Sequence, residues 1–255
     1  MENILSASEN SGTVKRVVVT QAGAGFVNPD DGFLDNKMDK VINEHTPINT
    51  KVAAFRPPLL SPHHAYCGAK AYCMSFLNSL KSRSPPLPFS IVQVIPGTVI
   101  GPSELHTTPH EAKASMDRMS QALLFNTPKA QYCFGFVHVE DCAKVHVEAL
   151  DEVSVPDVDI PEWFIAGGTG EDGKGIEELW REVGEMVERE FEHEVGEGLF
   201  TVGRENWPVN MPYRVENEMT RRMVLGGGKF KSLVECVRDV AGWYKQLDQV
   251  EKENK

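Results

Sequence analysis

A tyrosine and a lysine stand four residues apart in the segment Tyr66-Cys67-Gly68-Ala69-Lys70. In an α-helix, residues i and i+4 share a face, so this spacing brings a phenol next to an ammonium group. A free tyrosine has a pKa of about 10 and is a poor acid–base catalyst at neutral pH. A nearby lysine cation stabilises the phenolate and lowers that pKa, which suits the pair to giving a proton to a carbonyl group. The pattern alone is weak, because a surface tyrosine beside a surface lysine has the same spacing.

Other residues of catalytic or metal-binding type lack a supporting arrangement. His63 and His64 adjoin the predicted helix, but no carboxylate or cysteine completes a metal-ligand set at a useful spacing, so we expect no metal. His138 and His146 flank Asp141 and are predicted to pack or to cap a helix. The five cysteines are scattered and contain no Cys-x-x-Cys pair, which indicates a reducing compartment without structural zinc. Two of them, Cys67 and Cys73, are predicted to face the core.

The elements that must position the pair follow the order of a parallel α/β sheet. A polar segment, 1–13, ends as a helix. Residues 14–20 form a β-branched run that predicts a strand buried on both faces. A helix is predicted over 65–82 and a second buried strand over 89–95. Strand, helix and strand in this order indicate a parallel sheet with crossover helices.

The rest of the chain contains shorter signals. A proline-rich stretch, 28–62, reads as a long irregular connection, a type that is usually functional in a compact domain. Glu140 and Asp141 are predicted to cap a helix that runs to 150. The other predicted elements are strands at 134–139 and 163–166, an acidic amphipathic helix over 176–194 with a solvated charged face, and a final helix over 233–247.

Length and charge limit the class of protein. The 255 residues suit one large domain or a core with a smaller lobe. The net charge of -11 argues against binding to a nucleic-acid backbone. No apolar run reaches the roughly 18 residues needed to span a bilayer, and the first residues lack the features of a secretory signal. We therefore expect a cytoplasmic protein with no membrane and no nucleic-acid partner.

Four segments, taken in order, carry a family resemblance: Val17 to Thr20, Tyr66 to Lys70, Pro96 to Pro102 and Phe136 to His146. Together they resemble the extended short-chain dehydrogenase/reductases, the NAD-dependent epimerase/dehydratase group, and within it the dihydroflavonol reductase-like and aldehyde or ketone reductases. The segment 229–244 is similar to that group's C-terminal helix. The resemblance implies a partial Rossmann-like parallel sheet with interleaved substrate-lobe segments over 1–160, and mainly a small C-terminal α/β substrate lobe over 161–255.

The resemblance implies an NAD(P)H-dependent carbonyl reductase acting on a small-molecule carbonyl substrate. Tyr66 is then the proton donor, and Lys70 lowers its pKa and holds the nicotinamide ribose. The residues implied to contact the cofactor are Tyr66, Lys70, Pro96, Gly97, Thr98 and Val99. The sequence does not choose between NADP and NAD.

Two departures from the family pattern bear on activity. The family's dinucleotide-binding glycines lie much further before the catalytic tyrosine than the 65 residues that precede Tyr66. We therefore expect the opening strand, its phosphate-binding turn and about half of the nucleotide-binding sheet to be absent from this chain. The family strand ends in Thr-Ser-Ser, whose serine orients the substrate carbonyl, whereas this chain has Thr20-Gln21-Ala22. Ala22 falls near the serine position, with Gln21 or Thr20 as a substitute that geometry would decide.

Two glycine clusters do not restore the phosphate turn. In the first, residues 23–25, Asn28 takes the place of the third glycine. In the second, residues 168–173, Glu171 and Asp172 would repel a pyrophosphate. We expect a turn or a helix cap at both places.

Three interpretations remain open. The retained Tyr66 and Lys70 favour a reductase that needs a further N-terminal segment or a complementing chain. The missing serine and glycine turn favour a non-catalytic remnant that acts as a binding or regulatory protein, and an epimerase or dehydratase would use the same tyrosine. The resemblance also implies that the strand of Val17 to Val19 pairs with the 91–95 strand and lacks its other neighbour. We expect such an edge to make the chain self-associated (a homo-oligomer), partner-bound or marginally stable.

Overall fold

The computed structural model describes residues 1–26, 40–49, 61–127, 134–168, 174–207 and 213–254 of the chain. The helices in these ranges are α1 (Glu2–Ser11), α2 (Pro62–Lys81), α3 (Pro109–Ser115), α4 (Arg118–Phe125), α5 (Val139–Glu148), α6 (Ile176–Glu190), α7 (Glu192–Gly196), α8 (Glu218–Val224) and α9 (Leu233–Glu253). The strands are β1 (Arg16–Thr20), β2 (Lys40–Ile42), β3 (Ser90–Pro96), β4 (Thr98–Ile100), β5 (Phe136–His138), β6 (Phe164–Ala166) and β7 (Tyr213–Val215).

Three strands form a central parallel sheet in the order β1, β3, β6. The register pairs Val18 with Val92 and Val94 with Phe164. Two short parallel pairs, β2 with β7 and β4 with β5, form separate ladders. The predicted α/β class with a parallel sheet is confirmed, and the predicted pairing of β1 with β3 is present.

Helices cover the central sheet on both faces. Val17 and Val19 of β1 belong to one hydrophobic cluster with Leu77 of α2, whereas Val18 packs with Val145 of α5. This alternation is the two-residue period of a strand. Helix α2 therefore lies on one face of the sheet and α5 on the other.

The edge strand β1 is less buried than its neighbour β3. Residues 91–95 of β3 are all buried, whereas Val17, Val18 and Val19 are half-buried. The prediction that β1 is buried on both faces is therefore wrong. Within the described ranges β3 is the one sheet neighbour of β1, and no described strand pairs with the other side of β1.

Helix α2 begins earlier than predicted because two residues act as helix-start signals. The Ser61 hydroxyl accepts a hydrogen bond from the His64 backbone N–H at 3.2 Å. Pro62 occupies the first turn, where the missing N–H of proline costs no helical hydrogen bond. Most of the predicted connection 28–62 lies outside the described residues, and its described part contains β2 and this helix start.

A histidine caps α5 in place of the predicted carboxylates. His138 is buried, and its Nδ1 accepts a hydrogen bond from the Glu140 N–H at 3.2 Å. Glu140 and Asp141 instead bind Lys231: the Lys231 Nζ lies 2.7 Å from Glu140 Oε2, and the Lys231 N–H donates to Asp141 Oδ2 at 2.7 Å. The predicted packing or capping role of His138 is confirmed.

A second hydrophobic core is built from helices α3, α4, α6 and α9. Leu123, Trp180, Phe200 and Val240 in this helical core are at most 1% exposed. Trp180 Nε1 donates a hydrogen bond to the Gly203 carbonyl at 2.8 Å. Helix α6 buries its apolar face and exposes its glutamates, as predicted, but it ends before the predicted limit, and α3 and α4 were not predicted.

The two parts of the molecule interleave along the chain. Strand β6, after residue 160, belongs to the central sheet, whereas α3 and α4, before residue 160, pack in the helical core. The division into 1–160 and 161–255 stays a prediction. Within the described ranges, no helix combines the length and the apolar character that crossing a membrane requires.

Candidate active site

Tyr66 and Lys70 lie one turn apart near the beginning of α2. Tyr66 is 49% exposed, whereas Cys67 and Gly68 are buried on the side that faces the protein. The Lys70 Nζ lies 5.8 Å from the centroid of the Tyr66 ring, within the range of a cation–π contact. The structure therefore brings together the two side chains that the spacing predicts, and it leaves the phenol accessible.

The acidity of Tyr66 differs from the expectation. Burial, followed by the charge of the neighbouring Cys67, raises the pKa of Tyr66 above its usual value of 10.0. Lys70 lies over the ring, and its charge does not overcome the effect of burial. The predicted lowering of the Tyr66 pKa by Lys70 is therefore wrong for the chain as it stands. A raised pKa keeps the phenol protonated at neutral pH, which is the form that donates a proton.

The beginning of α2 lies at the carboxyl end of the central sheet. Cys67 belongs to the same buried cluster as Ile95, the penultimate residue of β3. Ligands of open parallel α/β sheets bind outside the carboxyl ends of the strands. Pro96, the last residue of β3, begins the loop that the family resemblance implies for the nicotinamide, and it directly follows Ile95 of this cluster.

The predicted cofactor loop, Pro96 to Val99, is held by close backbone contacts. The Gly97 N–H donates to the last carbonyl of β6 at 2.9 Å, and the Thr98 N–H donates to the Gly135 carbonyl at 2.8 Å. A Cβ atom on Gly97 would lie 2.7 Å from the Gly135 carbonyl oxygen, so no side chain fits there. Val99 is 40% exposed at the outer end of the loop.

Three residues that support this loop were missed from the sequence. Gly135 and Gly167 border Gly97 on two sides, and a Cβ on Gly167 would lie 3.0 Å from the Gly97 nitrogen. Asn217 is buried, and its Nδ2 donates to the Gly167 carbonyl at 2.5 Å. The available signal was a glycine next to each of three strand ends, at 97, 135 and 167.

The glycines at 23–25 serve packing. They form a 3₁₀ turn directly after β1, against α2. A Cβ on Gly23 would collide with the Phe134 ring, and one on Gly25 would collide with the Met74 sulfur. The expected turn is confirmed here, and the close packing explains why glycine occupies both positions. In the second cluster, residues 169–173 lie outside the described part of the chain.

Gln21 and Thr20, the candidate substitutes for the serine that orients the carbonyl, both have other hydrogen-bond partners. Gln21 is 3% exposed, and its Nε2 donates to Gln93 Oε1 at 3.0 Å inside the protein. The Thr20 hydroxyl lies 2.9 Å from His146 Nε2, on the α5 side of the sheet and away from α2. Ala22, near the serine position, continues the strand in an extended conformation and has no hydroxyl.

The histidines and cysteines near α2 have structural contacts. His64 Nδ1 lies 3.1 Å from the Ser61 hydroxyl, and His63 Nε2 lies 3.7 Å from Cys67 Sγ. Burial raises the pKa of Cys67 to about 11, which agrees with its predicted core-facing role. The described ranges contain no group of three or more side chains that could hold a metal ion.

The chain is similar to curated proteins named ketoreductase and NAD-dependent epimerase/dehydratase. No protein-family model matches the chain. It is 27% identical over 202 residues to "Ketoreductase CTB6" of Cercospora beticola, covering 77% of this chain and 52% of the relative. It is 26% identical over 247 residues to "NAD-dependent epimerase/dehydratase ALT6" of Alternaria alternata, covering 92% of this chain and 65% of the relative. The chain thus spans about half to two thirds of the length of these curated relatives.

Solved structures share the fold. The yeast methylglyoxal/isovaleraldehyde reductase Gre2, complexed with NADPH, superimposes with a TM-score of 0.64 at 18% identity, covering 97% of this chain and 68% of Gre2. Gre2 from Candida albicans, also with NADPH, has a TM-score of 0.64 at 18% identity, covering 96% and 69%. The resemblance seen in the sequence is confirmed: the chain is similar to proteins named ketoreductase and NAD-dependent epimerase/dehydratase, and it shares the fold of the Gre2 reductases.

Proposed function

We propose that the chain bears the proton-donating part of an NAD(P)H-dependent carbonyl reductase. The observation that carries this proposal is an accessible Tyr66, with the Lys70 ammonium over its ring, at the carboxyl end of a parallel sheet. Relatives named ketoreductase and the shared fold of NADPH-bound Gre2 support it. A small aldehyde or ketone is the proposed substrate.

Each candidate residue has a role in this reaction. A bound nicotinamide would supply a hydride to the carbonyl carbon. Tyr66 gives its proton to the carbonyl oxygen, so that the product is an alcohol. Lys70 is half-buried beside Tyr66 and is placed to hold the hydroxyls of the nicotinamide ribose. The loop of Pro96, Gly97, Thr98 and Val99 forms a firm backbone wall on which the nicotinamide ring can rest.

The described residues fit the nicotinamide end of the cofactor but not its pyrophosphate end. The nicotinamide end fits, because a phenol, an ammonium group and a rigid loop adjoin the same sheet end. The pyrophosphate end does not fit the glycines at 23–25, because these glycines are occupied by contacts with Phe134 and Met74. We therefore derive no pyrophosphate contact from this chain.

An epimerase or dehydratase is the second candidate, favoured by the names of the relatives from Alternaria alternata and Gibberella moniliformis. It would use the same Tyr66. Product analysis separates the two, because a reductase consumes NADPH and yields an alcohol in equal amounts. A dehydratase or epimerase consumes no net cofactor.

We further propose a cytoplasmic location and a Rossmann-like unit over 1–160 with mainly a substrate lobe over 161–255.

The test is an NADPH-oxidation assay with aldehydes and ketones, including methylglyoxal and isovaleraldehyde. It uses the chain alone and the chain joined behind the nucleotide-binding segment of yeast Gre2. We expect Tyr66→Phe to lower turnover at least about 100-fold, because it removes the proton donor and keeps the ring. Tyr72→Phe on the same helix, where Tyr72 is 76% exposed, is the matched control and should keep full turnover.

A folded Tyr66→Phe variant with unchanged turnover would assign the proton to another group. An assay without turnover in either form, despite NADPH binding, would favour a non-catalytic binding protein.

A further inference from the structure

A buried glutamate caps helix α8 from a distant part of the chain. The Glu44 side chain is 4% exposed, and its Oε1 accepts hydrogen bonds from the Thr220 N–H and from the Thr220 hydroxyl, both at 2.8 Å. Thr220 is the third residue of α8, in the first turn, where backbone N–H groups have no partner inside the helix. The helix dipole also favours a carboxylate at this end. Glu44 therefore does for α8 what an N-cap side chain usually does.

The parallel ladder of β2 and β7 brings Glu44 to this helix. Ile42 pairs with Val215, and the Glu216 N–H donates to the Ile42 carbonyl at 2.8 Å. Glu44 lies shortly after β2, and α8 begins shortly after β7. Because strands that pair in parallel end at the same edge of a ladder, the two following segments lie side by side.

The N-cap residue of α8 is Asn217, and its side chain has a different partner. Asparagine is among the most favoured N-cap residues because its oxygen accepts a hydrogen bond from an N–H of the first turn. Among the residues that the structure describes, the Asn217 side chain makes no such bond to α8, and its Nδ2 donates instead to the Gly167 carbonyl at 2.5 Å. Capping by Glu44 thus leaves the Asn217 side chain available to bind Gly167.

Side chains of α8 hold one side of the end of β6. The Ile165 N–H donates to the Thr220 hydroxyl at 2.8 Å, and the Gly167 carbonyl accepts from the N-cap side chain. The Ala166 carbonyl points the opposite way and accepts from the Gly97 N–H at 2.9 Å. This alternation is that of a strand in a parallel ladder. The end of β6 is therefore held between α8 and Gly97.

The end of β6 also fixes the loop of Pro96 to Val99. A Cβ on Gly167 would lie 3.0 Å from the Gly97 nitrogen, so the two backbones are already in contact. Close-packed groups transmit a displacement to their neighbours, so a movement of Gly167 moves Gly97 as well.

We propose that Glu44 is a positioning residue for this loop and acts through Asn217. By capping α8, Glu44 keeps the Asn217 side chain on Gly167, and Gly167 keeps Gly97 in place. The link to the reaction rests on the proposed function, in which the loop supports the nicotinamide, whereas the link between Glu44 and the loop does not.

Amide hydrogen exchange of the whole chain, read residue by residue by NMR, tests the proposal. In Glu44→Ala, the Thr220 N–H loses its acceptor, and the Asn217 oxygen turns to it. We expect the Gly97 N–H to exchange at least about 10-fold faster as a result, relative to the Trp180 backbone N–H in the helical core. Glu44→Gln keeps an acceptor oxygen and should stay within about 3-fold of the unchanged chain.

A double variant tests whether Glu44 acts through Asn217. Asn217→Ala should speed exchange at Gly97 by a similar factor, and adding Glu44→Ala to it should change that exchange by less than about 2-fold. Two independent losses of stability would instead add. Asp117→Ala is the matched control, because Asp117 caps α4 in the helical core by accepting from the Ser120 N–H at 2.9 Å. It should leave exchange at Gly97 unchanged.

Unchanged exchange at Gly97 in Glu44→Ala, or additive effects in the double variant, would overturn the proposal. Equal acceleration at Gly97 and Trp180 would also overturn it, because it would mean a general loss of stability. In the fused protein of the NADPH-oxidation assay, Glu44→Ala should raise the KM for NADPH at least about 3-fold. Tyr66→Phe should leave exchange at Gly97 unchanged, so a failure of the proposed reductase function is separable from a failure of this coupling.

Discussion

The helical core and the central sheet differ in how completely they are closed. Leu123 and Trp180 in the helical core have almost no exposed surface, because four helices surround them. The valines of β1 in the sheet are half-buried. Val158, which follows the Asp157 that pairs with Arg16 of β1, is 92% exposed. Both regions are rich in apolar residues, so composition does not explain the difference.

The difference follows from how the two architectures bury apolar groups. A helix satisfies its backbone internally, so a few amphipathic helices can enclose a core by themselves. A strand satisfies its backbone through neighbours, so a parallel sheet is closed at an edge only where another strand pairs with it. The candidate active site lies in the less closed region, at the end of β1 and β3.

Truncation of a core side chain should show the largest contrast. Leu123→Ala leaves a cavity in the helical core and should lower the free energy of unfolding by about 2–5 kcal/mol. Val17→Ala on the half-buried strand should cost no more than about 1 kcal/mol. Urea unfolding followed by circular dichroism measures both. Equal losses would mean that β1 is as enclosed as the helical core.

Cofactor affinity tests the open region next. Contacts with Phe134 and Met74 fill the space at Gly23 and Gly25 that a pyrophosphate would need. The 255 residues alone should therefore bind NADPH with a Kd above about 100 μM, which corresponds to a binding free energy of no more than about 5.5 kcal/mol. Titration calorimetry measures this value. Low-micromolar binding by the chain alone would contradict the prediction and point to a phosphate site elsewhere in it.

A serine at the end of β1 should have a smaller effect. Ala22→Ser restores a hydroxyl near the position that orients the carbonyl in the family, and removing one such donor costs on the order of 10²–10³ in rate. We expect a gain of at least about 10-fold in kcat/KM wherever activity is measurable. Ala69→Ser, exposed on α2, is the control. No gain would mean that Ala22 is out of register with the substrate carbonyl.

The pH dependence of stability should show the smallest effect, and it concerns the closed side of the molecule. Burial, followed by the charge of Lys231, lowers the pKa of His138 below its usual value of 6.5, while Asp239 and Glu140 oppose this. The unfolded chain therefore takes up a proton first as pH falls. His138 thus stabilises the fold above about pH 6.5, and this contribution is lost as pH drops towards its folded pKa.

Denaturant unfolding at several pH values between 7.5 and 5.5 measures how the free energy of unfolding changes with pH. His138→Asn should make this pH dependence weaker, whereas His110→Asn, at an exposed position on α3, should leave it unchanged. A slope that persists in His138→Asn would assign the proton uptake to other groups.

Much of the fold was accessible from the sequence because its signals are local. Residues 89–95 are mostly apolar, and residues 91–95 are buried in strand β3. The i, i+4 spacing of Tyr66 and Lys70 suffices to place them on one helix face. Helices α3 and α4 are too short for a periodic pattern to stand out. Their caps, Thr108 and Asp117, were the signals that could have revealed them.

The properties that the sequence did not predict depend on residues that lie far away along the chain. Spacing predicts that Lys70 is near Tyr66, but the pKa of Tyr66 depends on how deeply the ring is buried. The β-branched run at 17–19 predicts a strand, but its burial depends on whether a second strand pairs with it. Gln21 was a candidate donor until its contact with Gln93 showed that the side chain turns inward.

The backbones at Gly97, Gly135 and Gly167 lie in close contact, and this limits how the site can be altered by design. Any side chain at Gly97 or Gly135 would push two backbones apart, and the loop of Pro96 to Val99 would move with them. A mutant library meant to change substrate preference should leave these glycines fixed and vary Thr98 and Val99, whose side chains are at least partly exposed. The same rigidity implies that new specificities would arise by exchanging side chains on an unchanged backbone.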